Sequence, residues 1–288
     1  MFSIFFLSIE RESISKFKLK MNIFFPILIY FIQFCSLFMG RLETSILFFQ
    51  IIKNTSYPFY VSIIIPIYNT ERYLNRSFGS LFNQTLQNYE IIVIDDCSQD
   101  ESLKIIQDKM KTSSHIKLVQ HFYNQGTLSS RNHGVIESSG QFIMSLDPDD
   151  QLFNDAIEKS YKSIVEFDAD VLEFSLLVQY NSTNKTEKCK NSYNSNTVIF
   201  RRLLKLNPHK VNWNVCKKII KRSVYLKAVE LILPFIKNKM ILIGEDLIHT
   251  AAIFTFMKKF ICSQNLAYIY YRNIIMDQTK KSKLISLD

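Results

Sequence analysis

The chain has 288 residues, 47% of them hydrophobic and 21% charged, with only six glycines and six prolines. That is enough for one large α/β domain or two small ones with a real core, and it excludes a wholly disordered or Gly/Pro-repeat architecture. The net charge of +9 is concentrated in residues 201–240, where eleven Lys/Arg stand against a single acid, Glu230.

Such a patch fits a solvated lysine-rich face, or a surface that attracts nucleic acid, anionic lipid heads or phosphorylated substrates. No nucleic-acid-binding motif accompanies it, so nucleic acid is not an expected partner. The five cysteines are scattered and never form a CxxC pair, which argues against both a disulfide framework and a cysteine zinc site.

At the amino end, residues 22–40 run for 19 positions without a charge, and as a helix they would span about 28 Å, close to the hydrocarbon core of a bilayer. Basic residues precede this run. Positive-inside bias therefore predicts a short cytoplasmic tail over 1–20, a transmembrane anchor over 21–40 and a stem over 41–57, a single-pass type II arrangement. The rival readings are a signal peptide starting at Met21, which would release a secreted protein, and a buried core helix.

From residue 58 the pattern alternates. Tyr60–Ile67 and Glu90–Ile94 are β-branched apolar runs that suit strands buried on both faces. Tyr73, Leu74, Phe78, Leu81 and Phe82 recur at helical spacing between them. A helix over 101–111, a strand over Ile116–Val119, a loop and helix over Gly126 to Ile136, and a strand over Gln141–Leu146 follow. Strand and helix alternating every 25–30 residues predict a Rossmann-like, mostly parallel sheet flanked by helices.

Ligands bind such sheets at the carboxyl ends of the strands. Two acidic clusters fall there: Asp95-Asp96, and Asp147-Pro148-Asp149-Asp150. Converging carboxylates call for a cation, and Mg²⁺ or Mn²⁺ prefers oxygen ligands and bridges carboxylates to phosphates. Asp100 reads instead as a helix cap. The histidines, His133 among them, show no metal spacing and read as packing residues.

Four stretches in register, Val61–Asn69 (VSIIIPIYN), Ile91–Asp96 (IIVIDD), Asn124 to Gly134, and Leu146–Asp150 (LDPDD), resemble glycosyltransferase family 2 over residues 59–155, with a weaker likeness over 156–275. The resemblance implies a GT-A fold, with a nucleotide-sugar-binding half over 58–165, an acceptor-binding half over 166–275 and a basic tail over 276–288. It also implies inverting, metal-dependent transfer of one sugar from a nucleotide-diphosphate donor, a UDP-sugar by family weight, to a glycan, glycolipid or glycoprotein hydroxyl.

By motif, Pro66, Tyr68, Asn69 and Glu71 would border the nucleotide, Asp96 would bind its base, Gly126 would be among the donor-binding residues, and Arg131 would organise the diphosphate edge. Asp147 and Asp149 match the DxD pair, with Asp149 the direct metal ligand, Asp147 at the ribose or a metal-bound water, and Asp150 in the same cluster. Glu245-Asp246 resembles the ED motif, with Asp246 the general base. Trp213, Asn214 and Lys218 resemble the acceptor-side segment, and Tyr270-Tyr271-Arg272 the close of the domain. The QxxRW motif of processive members is absent. With the predicted anchor, the catalytic domain would be lumenal or extracytoplasmic, where the sequons at Asn54, Asn75, Asn83, Asn181 and Asn184 would be accessible. Residues 180–196 read as a polar loop. A non-catalytic binding protein on this fold and a nucleotidyltransferase are the alternatives.

Overall fold

The structure, a computed structural model, describes residues 57–180, 183–189, 212–236, 240–241 and 244–272. The predicted anchor, most of the stem, the sequons at Asn54 and Asn181, the first part of the basic segment and the basic tail lie outside the described residues.

Strand β1 (Val61–Ile67) is buried at every position and lies at the centre of the first half of the sheet. It pairs in parallel with β2 (Tyr89–Asp95) and with β4 (Phe142–Ser145), and β2 pairs in parallel with the edge strand β3 (Ile116–Gln120). Helices α1 (Glu71–Phe82), α2 (Ser102–Thr112) and α3 (Thr127–Glu137) form the crossovers. On α1 the residues that pack inward are Leu74, Phe78 and Leu81, while Phe82 is 39% exposed.

Pro66 is tolerated inside this central strand for a topological reason. Its backbone faces β4, whose last pair with β1 is Ser145 with Ile64. The N–H that proline lacks therefore falls beyond the last paired residues of that ladder. Gly134 lets α3 sit directly on β1, because a Cβ there would come within 2.4 Å of Ile64 Cγ2.

The chain continues through β5 (Gln151–Leu152), α4 (Ala156–Glu166), β6 (Val171–Gln179), β7 (Asn184–Glu187), a 3₁₀ turn (Val215–Lys217), β8 (Lys218–Lys221), α5 (Arg222–Ile236), α6 (Glu245–Phe256) and β9 (Phe260–Tyr271). Among the described residues, all strands join one nine-stranded sheet of order β3-β2-β1-β4-β8-β6-β9-β5, with β7 beside β6. Strand β8 runs antiparallel to β4 and β6, β5 antiparallel to β9, and β7 antiparallel to β6, while β9 is parallel to β6.

The sheet is therefore mixed, not mostly parallel. A run of buried apolar residues reports that a strand is covered on both faces and says nothing of its direction. Two further expectations are corrected. Residues 184–187, within the segment read as a loop, form the exposed strand β7, bringing the sequon at Asn184 to an exposed position. And Cys189 is disulfide-bonded to Cys262 on β9, 73 residues away: a single bridge closes between elements that only the tertiary fold brings together.

Candidate functional site

The carboxyl ends of β1 and β2 are tied to each other before any ligand is considered. Asn69 takes a left-handed φ of +52°, which asparagine tolerates well. Its Oδ1 accepts the Gln99 N–H at 2.7 Å and its own N–H donates to Ser98 Oγ at 3.1 Å. Asp100 caps both following helices, accepting the N–H groups of Glu71 (3.1 Å) and Ser102 (3.0 Å), as expected of it. Glu71 reciprocates by accepting the Glu101 N–H at 3.0 Å. Tyr68, beside this knot, is 46% exposed.

Asp96 is turned inward and is 3% exposed. Its Oδ1 accepts from His121 Nδ1 at 2.7 Å and from the Gln125 N–H at 2.9 Å, and its Oδ2 accepts the Gly126 N–H at 2.7 Å. Gly126 presents that N–H from a φ of +85°, a conformation that favours glycine, immediately before α3.

Arg131, on the sheet side of α3, is 2% exposed. One terminal nitrogen donates to Asp147 Oδ1 at 2.7 Å and the other to Asp246 Oδ1 at 2.9 Å. The guanidinium fork thus clamps the loop after β4 to the first turn of α6. Burial alone would lower its pKa, but the acidic groups around it, Cys216, Asp147 and Asp246, hold it well above its ordinary value.

The other carboxylates divide by surroundings. Asp150 is 1% exposed; its two oxygens accept the Tyr268 hydroxyl at 2.7 Å and the Tyr271 N–H at 2.9 Å. Burial, with the charges of Asp147 and Asp149, pushes it up to about 8. Asp149 is half-buried, and its carbonyl accepts from Arg76, whose guanidinium lies 3.6 Å from the centre of the Tyr271 ring. Asp246 and Glu245 both lie above the ordinary carboxylate range, chiefly through burial.

On the far side, Asn214 caps the 3₁₀ turn by accepting the Cys216 N–H at 2.7 Å, and the Trp213 carbonyl accepts the Thr250 hydroxyl at 2.6 Å. Lys218 is fully buried and donates to the carbonyls of Asn212 and Asn214 at 2.8 and 2.6 Å. Its ammonium braces the Asn212–Asn214 segment from beneath.

The site thus brings Asp147, Asp246 and Arg131 into direct contact, with Asp149 and Glu245 adjacent in sequence or on the same turn. Tyr68, Asn69 and Glu71 sit on a neighbouring loop, and Asp96 on the next. Among the described residues no group of three or more His, Cys, Asp or Glu side chains is placed to hold a metal ion. Asp150 is engaged inwardly, and Asp149 and Asp147 are the residues of this loop that could hold a cation, one that takes one or two carboxylates and completes its shell with phosphate oxygens and water.

Sequence reasoning missed His121, His133, Arg76, Tyr268 and Cys216. His133 is not a packing residue, since its Nδ1 lies 2.9 Å from His121 Nε2. The available signal was position: His121 directly follows β3 and so shares the carboxyl edge with Asp95 and Asp96.

These features belong to a GT-A fold. A model of glycosyl transferase family 2 matches residues 62–228, more than half of the chain, and the chain belongs to that family. It is 41% identical over 106 residues, 37% of this chain and 42% of the relative, to an uncharacterized glycosyltransferase of Haemophilus influenzae. It is 35% identical over 98 residues, 34% of this chain and 32% of the relative, to a GalNAc(5)-diNAcBac-PP-undecaprenol β-1,3-glucosyltransferase of Campylobacter jejuni. The matches span less than half the length of these relatives. The fold is similar to S. aureus TarS 1–349, with a TM-score of 0.59 and 22% identity over 74% of this chain and 60% of that one. The same TarS region has also been solved with UDP-GlcNAc, matching with a TM-score of 0.58 and 21% identity over 74% of this chain and 58% of that one.

Proposed function

We propose that the chain is a glycosyltransferase that moves a single sugar from a nucleotide-diphosphate sugar to an acceptor hydroxyl, with inversion. The observation that carries this is the Arg131 clamp. It holds Asp147, on the expected donor loop, and Asp246, on the expected base, to one guanidinium at 2.7 and 2.9 Å.

Glycosyl transfer separates charge, because the anomeric carbon becomes cationic while the diphosphate departs with added negative charge. Arg131 contributes a fixed positive charge in a water-poor setting, where such charges act strongly. Asp246 takes the acceptor proton as the hydroxyl attacks the face opposite the leaving group. Burial raises its pKa and so makes it a better base once ionised. Glu245 orients or assists it. Mg²⁺ or Mn²⁺ held by Asp149 and Asp147 would supply countercharge for the departing diphosphate.

The donor base is proposed to rest against Asp96, with Pro66, Tyr68, Asn69 and Glu71 at its border, and a UDP-sugar is the proposed donor. The TarS structure holding UDP-GlcNAc supports that choice. The acceptor is proposed to be a glycan or glycolipid, a class that the Campylobacter relative's name supports. It would approach past Trp213 and Asn214, with Lys218 supporting that segment. We place the domain on the extracytoplasmic or lumenal side of a membrane behind an N-terminal anchor, and the Cys189–Cys262 bridge supports an oxidising compartment.

The test is donor hydrolysis by the full-length chain, mixed with a panel of nucleotide sugars and Mn²⁺, with Asp149→Ala and Asp246→Asn alongside. Release of nucleoside diphosphate from one donor, lost in Asp149→Ala and with chelator, is the expected result. Absence of both turnover and nucleoside-diphosphate binding across the panel would overturn the reading in favour of a non-catalytic protein.

A further inference from the structure

Behind Asp96 runs a chain of hydrogen bonds that the proposed chemistry does not use. His121, at the end of β3, has only 3% of its side chain exposed and meets Asp96 Oδ1 through Nδ1 at 2.7 Å. Its other ring nitrogen, Nε2, lies 2.9 Å from His133 Nδ1 on α3, with the two rings near-parallel at 10°. His133 then reaches toward Glu137, Nε2 to Oε1 at 3.8 Å, and Glu137 pairs with Lys117 at 2.7 Å.

The partners dictate the protons. A carboxylate only accepts, so His121 Nδ1 carries hydrogen; in the neutral ring its Nε2 is then an acceptor, and His133 Nδ1–H must donate to it. Burial, then nearby His121, lowers the pKa of His133 and favours the neutral form of that ring. His121 is therefore held in one orientation, with Nδ1–H toward Asp96.

That orientation determines what Asp96 has left to offer. Each carboxylate oxygen has two lone-pair sites. Oδ1 uses both, on His121 and the Gln125 N–H, and Oδ2 uses one, on the Gly126 N–H. Among the described residues, one acceptor site remains.

We propose that His121, locked by His133, is a positioning residue that leaves Asp96 a single acceptor site and thereby selects a donor nucleobase with one imide N–H. This rests on the reading that the donor base lies against Asp96. A uracil-type ring presents one N–H between two carbonyls and fits. A guanine edge presents N1–H and N2–H side by side and needs a free site on both oxygens, which His121 denies it.

The experiment is calorimetric titration of the full-length chain with UDP and with GDP, together with donor KM and kcat, for the wild type and for Asp96→Asn, His121→Asn, His121→Gln and His133→Phe. Asparagine places a donor where Nδ1 was, whereas glutamine reaches the Nε2 position and leaves Oδ1 one site free. Wild type and His121→Asn are expected to favour UDP over GDP by about tenfold or more, the worth of one good hydrogen bond. In His121→Gln that ratio is expected to fall toward one, with donor KM raised and kcat little changed. His133→Phe, on the outer side of the pair, is expected to lower the ratio less.

An unchanged UDP/GDP ratio in a folded His121→Gln overturns the inference, and so does a wild type that prefers GDP. If His121→Gln fails to fold, His133→Phe decides, and an unchanged ratio there overturns it. Should the wild type bind UDP and Asp96→Asn bind it equally well, the base lies elsewhere: the inference fails while the glycosyltransferase reading stands. Should the wild type bind neither nucleotide, the donor reading itself fails.

Discussion

Arg131 and Asp246 are 115 residues apart in the chain and 2.9 Å apart in the fold. The same guanidinium holds Asp147 at 2.7 Å, so one buried side chain sets the separation between the loop after β4 and the start of α6. A residue expected to work on the diphosphate edge also acts as the joint between the two halves of the site.

Replacing that joint should therefore harm both stability and turnover. Arg131→Ala leaves two carboxylates facing each other without their cation. We expect a loss of about 2–3 kcal/mol, below the fully buried figure because both carboxylates keep about a third of their surface. Arg131→Lys should recover little turnover, since a compact ammonium lacks the two separate terminal nitrogens through which the guanidinium reaches Asp147 and Asp246. Urea unfolding and donor turnover measured on the same preparations check this.

Asp246 must be ionised to take a proton, and burial followed by the charge of Asp147 raises its pKa above the ordinary 3.8. Activity should accordingly fall as pH drops through that raised value, about tenfold per unit, beginning at higher pH than an ordinary carboxylate would show. Asp246→Asn should lose roughly 10²–10⁴ in kcat while still binding nucleoside diphosphate. A pH–rate profile and calorimetric titration separate the two effects.

His249 is fully buried, with Nε2 2.8 Å from Asn132 Oδ1 and Nδ1 without a hydrogen-bond partner among the described residues. Burial, then Arg131, holds its pKa well below 6.5. The unfolded chain takes up a proton that the folded chain refuses, so this contribution to stability is present above about pH 6.5 and lost as pH falls below it. His249→Gln keeps a donor toward Asn132 and cannot titrate, and it should flatten that slope in unfolding measured from pH 8 to 5.

Gly134→Ala would drive a Cβ to 2.4 Å from Ile64 Cγ2, in the contact that seats α3 on β1. The gain in helix propensity, about 1 kcal/mol, does not offset this overpacking. A net destabilisation of about 1–2 kcal/mol is expected from the urea midpoint.

Breaking the Cys189–Cys262 bridge removes a constraint across 73 residues, worth about 4 kcal/mol by chain entropy. Reductant should lower the thermal midpoint of the wild type and leave that of Cys189→Ser unmoved.

The first half of the fold was legible because its determinants are local. A β-branched run such as Val61–Ile67 is recognisable as a doubly covered strand, and the acidic clusters stand directly after β2 and β4, so their place on the carboxyl edge followed from the strands themselves. Hydrophobic periodicity also placed α1, α2 and α3. It carries burial but not direction, and so the antiparallel pairings of β8, β5 and β7 were beyond it.

What only the tertiary structure decided is the direction in which each carboxylate points. Asp149 and Asp150 are neighbours of one residue type, yet Asp150 is drawn inward by Tyr268, 118 residues away, and Asp96 by His121 and two loop amides. A charged group's orientation is set by the donors that distant elements bring to it, because leaving a buried carboxylate unpaired costs more than any local preference supplies. The residue types and their edge of the sheet were written in the sequence; which oxygens stay free was settled by packing between α3, α6 and β9.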